Sequence, residues 1–380
     1  MAGVPRLSRR ARWAIPAGAL VITGAVIGGS LISVAQASPG LPSRTPAQLL
    51  VQVADSVTPP LTGTVVETTS LGLPSLPGTA NPTSIASLLT GSHTVRVWYS
   101  GPRHFRLAVP QPLSETDVIA DGNTAWQWES TANAVTEYSL PAHSSAPQTA
   151  PTTAPLTPQQ AAQQVLAAVG PTTTVSVDSN VTVAGQPAYE LVLAPKDSRS
   201  LVGQVQIAID GKNGVPLRLQ VYARGASSPA FQVGYTAIQF VTPAPADLTF
   251  TPPPGAKVSH VNLSAPSGSD QRPGDVSTIG SGWLTVLDLP GTGLTAPSGS
   301  GSGANASGDS PSGDSAAVLN ALLQSATPVS GAWGSGRLLQ TSLVSVLITD
   351  GGRTFVGAVQ PSVLYAAAGQ AATGSQATTP

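Results

Sequence analysis

The chain has no cysteine among its 380 residues. That excludes a disulfide framework, a thiolate metal site and a lipid-modified N-terminal cysteine, so the fold rests on packing alone. Charge is scarce as well: Asp, Glu, Lys and Arg make up 9% of the chain, against about a quarter in ordinary soluble domains. The net charge of −1 removes the basic footprint of a nucleic-acid-binding protein. Four histidines, His93, His104, His143 and His260, stand without metal-ligand spacing and read as surface or strand residues. No G-x-S-x-G elbow, Walker A loop or G-x-G-x-x-G run occurs, so the common nucleophile and phosphate-binding motifs are missing. Glu115 and Asp117 share one strand face, where solvation accounts for them, and neighbouring carboxylates make no acid–base couple without a cleft to tune them. The sequence carries no enzyme signature and implies no cofactor.

What is abundant is Gly (39) and Pro (36), in a background of Ala, Ser and Thr that must solvate the surface through hydroxyls and amides. The length suits one large domain or two smaller ones, and two are expected. Arg6, Arg9, Arg10 and Arg12 precede an uncharged run at 13–34 and then Ala35-Gln36-Ala37, a small-residue cleavage pattern. This marks residues 1–37 as an export segment, either a cleaved signal peptide or a retained membrane anchor.

The segment 204–224, QVQIAIDGKNGVPLRLQVYAR, writes a complete β-hairpin. Val205, Ile207 and Ile209 alternate with polar or small residues, as do Leu217, Leu219 and Val221, so each strand has one oily face. Between them Asp210-Gly211-Lys212-Asn213-Gly214 supplies the residues of a tight reversal. Similar alternation predicts strands at 63–69, 93–99, 105–109, 115–120, 124–128, 135–140, 173–183, 188–194 and 231–241. Two helices are expected where Thr45-Pro46-Ala47-Gln48 and Thr157-Pro158-Gln159-Gln160 each combine a Thr N-cap, a Pro at the first position and a capping-box Gln. The first runs through Leu49, Leu50, Val53 and Val57, and the second ends at Gly170. Segments 71–82 and 141–155 read as loops. About ten antiparallel strands with two helices describe a strongly curved sheet or partial barrel.

A second unit follows a linker at 259–280. A strand at 281–289, a Gly/Ser linker at 291–315, a short helix at 316–326, and strands at 337–348 and 354–359 turning at Asp350-Gly351-Gly352 make a small β-α-β-β module spanning 281–370. Residues 371–380 read as a disordered tail.

Apolar strand faces are the remaining candidates for function. Trp126 and Trp128 share one face, as do Phe105 and Leu107, and Phe231 and Val233. With Val205, Ile207, Ile209, Leu217, Leu219 and Val221, these residues either close a dry core or line an apolar hollow suited to acyl chains. Arg96, Arg103, His104 and Arg106 gather positive charge around one strand pair, either to meet an anionic group or to guard a strand edge.

Several short motifs carry a resemblance to a known family. Asp210-Gly-Lys-Asn-Gly214-Val-Pro216-Leu217-Arg218 looks like the D-x-x-x-G-x-P-L-R hairpin of the LolA-like and RseB/MucB-like extracytoplasmic proteins. Gly101-Pro102-Arg103-His104-Phe105-Arg106 resembles their P-x-x-F-R strand, Asp121-Gly122-Asn123-Thr124-Ala125-Trp126 their D-G-x-x-x-W turn, and Phe250-Thr251-Pro252-Pro253-Pro254-Gly255 their closing segment, all in the family's order. The resemblance covers roughly 45–258. It implies an α+β, mostly β fold: an unclosed antiparallel β-barrel with helices across its mouth, spanning 38–258, whose cavity receives the acyl chains of a lipid or lipoprotein. It further implies a carrier or sensor in place of an enzyme. The attached second module resembles the sensor branch, whose members bind a membrane partner such as an anti-sigma factor, and the Ala/Gly/Pro-rich composition is in keeping with actinobacterial relatives.

Overall fold

The structure is a computed structural model that describes residues 40–72, 90–140, 172–263, 277–290 and 324–376. The export segment at 1–37, the helix expected at 157–170, the loops at 73–82 and 141–155, the Gly/Ser linker at 291–315 and residues 316–323 of the short helix lie outside the described residues. No helix among the described residues is long and apolar enough to cross a membrane.

The first helix, α1 (Pro46–Asp55), starts where its sequence demands. The Gln48 N–H donates to Thr45 Oγ1 (3.3 Å) and the Thr45 N–H donates to Gln48 Oε1 (2.8 Å), so the capping box satisfies two amides that lack a partner in the helix. Leu49 and Val53, one turn apart, are fully buried. The helix stops earlier than its apolar pattern suggests. Ser56 folds its hydroxyl back to the Val53 carbonyl (2.9 Å) and Pro59-Pro60 follows, so Val57 lies outside the helix, 87% exposed.

Thirteen strands form the large sheet. They are β1 (Leu61–Ser70), β2 (Thr90–Gly101), β3 (His104–Gln111), β4 (Ser114–Asp121), β5 (Thr124–Glu129), β6 (Ala134–Ser139), β7 (Thr173–Val177), β8 (Val181–Val183), β9 (Gln186–Pro195), β10 (Val202–Asp210), β11 (Pro216–Ala223), β12 (Pro229–Gln239) and β13 (Lys257–Asn262). The order is β13-β6-β5-β4-β3-β2-β1-β12-β11-β10-β9-β7, with β8 also on β9; the end strands β13 and β7 do not pair, so the barrel is unclosed. Every pairing is antiparallel except β13 with β6. Two features account for the extra strands. The stretch 173–183 breaks into β7 and β8 at Asp178-Ser179-Asn180, and β13 reaches into the span expected as a linker, where its short run of mixed residues gives no apolar alternation.

The hairpin turn does more than reverse the chain. Asp210, buried, accepts the backbone N–H groups of Lys212 (3.1 Å) and Asn213 (2.5 Å) on one carboxylate oxygen. Gly214 takes φ +71°, a conformation costly for any residue with a Cβ. At Gly211 a Cβ would stand 2.6 Å from Leu41, so the turn is also the surface on which the segment leading into α1 rests. Tyr189 fixes that segment from below, its hydroxyl donating to the Pro42 carbonyl (2.7 Å) with Arg44 over its ring.

Between β12 and β13 the chain crosses the sheet as a proline-rich strap containing the one-turn helix α2 (Pro245–Leu248), and Phe250 packs on Trp126 with ring centroids 6.0 Å apart. The closing motif Phe250–Gly255 is therefore a physical closure.

The second sheet has six strands in the order β14-β15-β19-β18-β17-β16: β14 (Ser277–Ile279), β15 (Val286–Pro290), β16 (Thr327–Gly331), β17 (Gly334–Gln340), β18 (Ser345–Thr349) and β19 (Arg353–Gly357), with a 3-10 turn at Gly282–Leu284. It is larger than the β-α-β-β module expected. The run 337–348 is a hairpin, because Thr341 Oγ1 accepts the N–H groups of Leu343 (3.3 Å) and Val344 (2.9 Å) and turns the chain without Gly or Pro. The final helix, α3 (Pro361–Gln376), extends into the expected tail. Leu364, Ala367 and Ala368 bury one face of it against Val286, Leu347 and Phe355.

The two sheets interlock within one compact unit, Ser38–Pro380. Ser200 and Val359 form an antiparallel bridge, flanked by bonds from the Leu201 N–H to the Ala358 carbonyl (2.9 Å) and from the Gln360 N–H to the Arg199 carbonyl (2.8 Å). Leu343, at the tip of the Thr341 turn, is 7% exposed and belongs to the core of the large sheet. The Trp283 indole donates to Thr173 Oγ1 (2.6 Å) at the outer edge of β7. Truncating Leu343→Ala removes a side chain that a turn of the second sheet inserts into the core of the large one and is expected to cost about 2–4 kcal/mol in urea unfolding; a loss below about 0.5 kcal/mol, the level of a surface substitution, would show that the contact carries no weight.

Candidate functional site

Cross-strand register sorts every side chain of the large sheet onto one of two faces, since directly opposed residues point the same way. One row runs Leu191–Ile207–Leu219–Val233–Glu67–His93 and the next Leu193–Val205–Val221–Phe231–Thr69–Gly91. This is the inner face, covered by Leu49 and Val53 of α1. Val205, Ile207, Ile209, Leu217, Leu219 and Val233 are between 0% and 3% exposed there. These six candidates pack against one another as a dry core, while Val221 and Phe231 sit half-buried at its margin.

Across β1 and β2 the same face continues but its burial changes. The rows become Val97–Leu107–Val118–Gln127–Thr136 and Tyr99–Phe105–Ala120–Ala125–Tyr138. Phe105, Leu107, Val109, Val118 and Tyr138 are only half-buried, although identical alternation on β9–β11 gives full burial of the large apolar side chains everywhere but at Val221. Phe105 and Leu107 were candidates by sequence; Val118 and Tyr138 were not, because β4 and β6 carry apolar residues on both faces and alternation alone does not rank them.

Trp126 and Trp128 point the other way. Trp126 opposes Ile119 and Trp128 opposes Asp117, and those residues lie with Arg106 and Trp98 on the outer face. The twelve sequence candidates are thus split by the sheet: ten belong to the inner face or its core and the two tryptophans lie behind it, under and beside the strap. Trp126 donates to Glu137 Oε2 (3.3 Å), whereas the Trp128 indole nitrogen is buried with no hydrogen-bond partner among the described residues.

The outer face holds a charge cluster that the sequence reading placed in solvent. Asp117 is fully buried, paired with Arg106, whose guanidinium also lies 3.7 Å from Glu115 and stacks over Trp98. The reason is that the strap covers this side, so β3–β5 are screened on a face whose residues are charged. Burial pushes the Asp117 carboxyl up to about 6; the Arg106 guanidinium pulls it back and the neighbouring Glu115 adds to the rise. The basic patch expected around β2 and β3 is neutralised only in part. Arg106 pairs with Asp117, His104 lies 3.0 Å from Asp121, Arg103 hydrogen-bonds Asn123, and Arg96 is exposed. On the opposite half of the sheet the outer face is polar, with Arg218 on Glu190 (2.7 Å) and Gln220 on Gln232 (2.6 Å). Arg218 of the hairpin motif is therefore an outer-face ion-pair partner. Among the described residues no group of three or more His, Asp or Glu is placed to hold a metal ion.

No family model matches the chain, and no curated protein matches it. Solved structures to which it is similar include MucB of Pseudomonas aeruginosa in complex with MucA, at 16% identity and TM-score 0.42, covering 85% of this chain and 96% of that one. A LolA superfamily protein from Nitrosomonas europaea is similar at 10% identity and TM-score 0.22, covering 55% of this chain and 99% of that one. An uncharacterized conserved protein from Thermus thermophilus is similar at 13% identity and TM-score 0.32, covering 57% and 98%. These likenesses are distant.

The Asp117 cluster makes stability depend on pH. A carboxyl whose folded pKa is raised contributes stability that is fully present below its unfolded value near 3.8 and lost as pH rises through about 6. Wild type is expected to lose roughly 2–3 kcal/mol relative to Asp117→Asn between pH 4 and pH 7. Urea unfolding of both proteins at the two pH values checks this, and a difference that stays constant would show that Asp117 does not bind a proton in the fold.

Proposed function

We propose that this protein is an exported, extracytoplasmic carrier that holds acyl chains of a lipid or lipoprotein against the inner face of β2–β6. The carrying observation is the half-burial of Tyr99, Phe105, Leu107, Val109 and Val118 on the face that, from β9 to β12, holds the core and leaves only the marginal Val221 and Phe231 half-buried. A row of large apolar side chains left partly open beside a finished core is the kind of surface that receives an apolar ligand. Tyr138 and Gln127, joined by a 3.4 Å hydrogen bond at the far side of the wall, offer polar groups where a chain's head would emerge. The arginine-led apolar segment at 13–34 with Ala35-Gln36-Ala37 supports export.

A second reading, an RseB-like regulatory sensor that contacts a membrane protein, is favoured by one observation: the six-stranded sheet is keyed into the core of the large one through Leu343. A ligand on the inner face would act on residues continuous with that key.

Binding of a fluorescent fatty-acid probe tests the first reading. Leu107→Gln is expected to weaken saturable probe binding at least about tenfold, near 1.4 kcal/mol, while Trp126→Leu on the opposite face leaves it nearly unchanged. Equal losses in both variants, or no saturable binding by wild type, would remove the inner face as the site.

A further inference from the structure

The sheet edges of this protein are not alike. The outer side of β7 is met by the Trp283 indole on Thr173, β14 is three residues long, and β16 carries Pro328, all features that blunt an edge. Strand β13 lacks these three features, and its guard among the described residues is Lys257 at its start. All six of its residues are exposed, its single ladder partner among the described residues is β6, and Val258, Val261 and Leu263 are 42%, 39% and 38% exposed.

The pairing with β6 fixes which backbone groups are left over. The Lys257 N–H donates to the Asn133 carbonyl (2.9 Å) and the Leu263 N–H to the Ser139 carbonyl (3.1 Å). In a parallel ladder alternate residues bond to one neighbour, so Lys257, Ser259 and Val261 turn inward and Val258, His260 and Asn262 present their N–H and C=O groups outward. Three outward residues at even spacing are compatible with their own copy. An antiparallel two-fold arrangement centred on His260 sets Val258 opposite the second copy's Asn262 and His260 opposite its counterpart, each pair exchanging two backbone hydrogen bonds. Lys257 then faces the second copy's Leu263, so no like charges are opposed, as they would be if Lys257 met itself.

We propose that β13 is a self-association edge, joining two copies of this chain by antiparallel β13–β13 pairing about His260. The pairing would place Val261, which lies beside Tyr138 on the inner side, next to Ser259 of the second copy, and so continue the inner face from one copy into the other. A single six-residue strand pair is at the small end of protein interfaces, so the dimer is weak and forms as concentration rises.

The absence of cysteine makes the test direct. In the full chain His260→Cys puts two thiols across the two-fold axis with Cα atoms about 5.5 Å apart, within disulfide reach. Under mild oxidation it is expected to give a covalent dimer several-fold faster than Ala226→Cys, an equally exposed position on the β11–β12 loop. Val258→Pro removes an outward N–H without touching the β6 ladder, and sedimentation equilibrium should show it monomeric with unchanged thermal stability where wild type shows concentration-dependent dimer. Equal cross-linking of the two cysteine variants, or monomeric wild type up to the solubility limit, overturns the proposal, whether the edge then takes a foreign strand or stays open.

Discussion

A sheet has two faces, and in this protein burial changes sides partway across it. From β9 to β12 the inner face is packed and the outer face is a row of polar pairs, Glu190 with Arg218 and Gln220 with Gln232. From β3 to β6 the packed residues Ile119 and Val135 point outward, beneath or beside the strap, and the inner face is left half-covered. The crossover falls at β1 and β2, which contribute Val65, Val95 and Val97 to the core. The strap screens an outer face that mixes Ile119, Val135 and two tryptophans with the Asp117–Arg106 pair, and packing those strands from behind leaves the inner wall available.

With few charges and no disulfide, the chain uses its polar groups for placement. Each of three buried carboxylates is tied to a defined partner: Asp117 to Arg106, Asp288 to Arg353, and Glu190 to Arg218. Such pairs add little net stability against apolar substitutes, yet losing one partner leaves an uncompensated charge. Asp210 acts differently, spending its carboxylate on two backbone amides so that the hairpin turn has one shape.

How much of this was legible depended on whether a residue's partner lay nearby in sequence. The hairpin at 204–224, the capping box at Thr45 and most strand positions were readable, because alternation and cap chemistry are local. The unclosed barrel was readable from the number of strands and the short motifs. The second half of the site was not. Nothing local distinguishes the outward tryptophans on β5 from the inward Phe105 and Leu107 on β3, since which face is inner is decided by register across strands far apart in sequence. Asp117 read as solvated for the same reason: the strap that buries it arrives more than a hundred residues later. Strand β13 and the Thr341 turn escaped notice because neither uses the strong signals, apolar alternation in one case and Gly or Pro in the other.

The pairing of β1 with β12 sets Thr62 beside Gln239 and Thr69 beside Phe231, and it joins the two halves of the large sheet. Such remote partners meet only after most of the chain exists, and closing so large a loop is slow compared with forming the local hairpins on either side. On contact separation alone, the β1–β6 and β9–β12 meanders are expected to form before the β1–β12 seam closes between them. In a chain made from its N-terminus, the outer edge of β1 therefore waits unpaired until β12, roughly 160 residues later, is available to cover it.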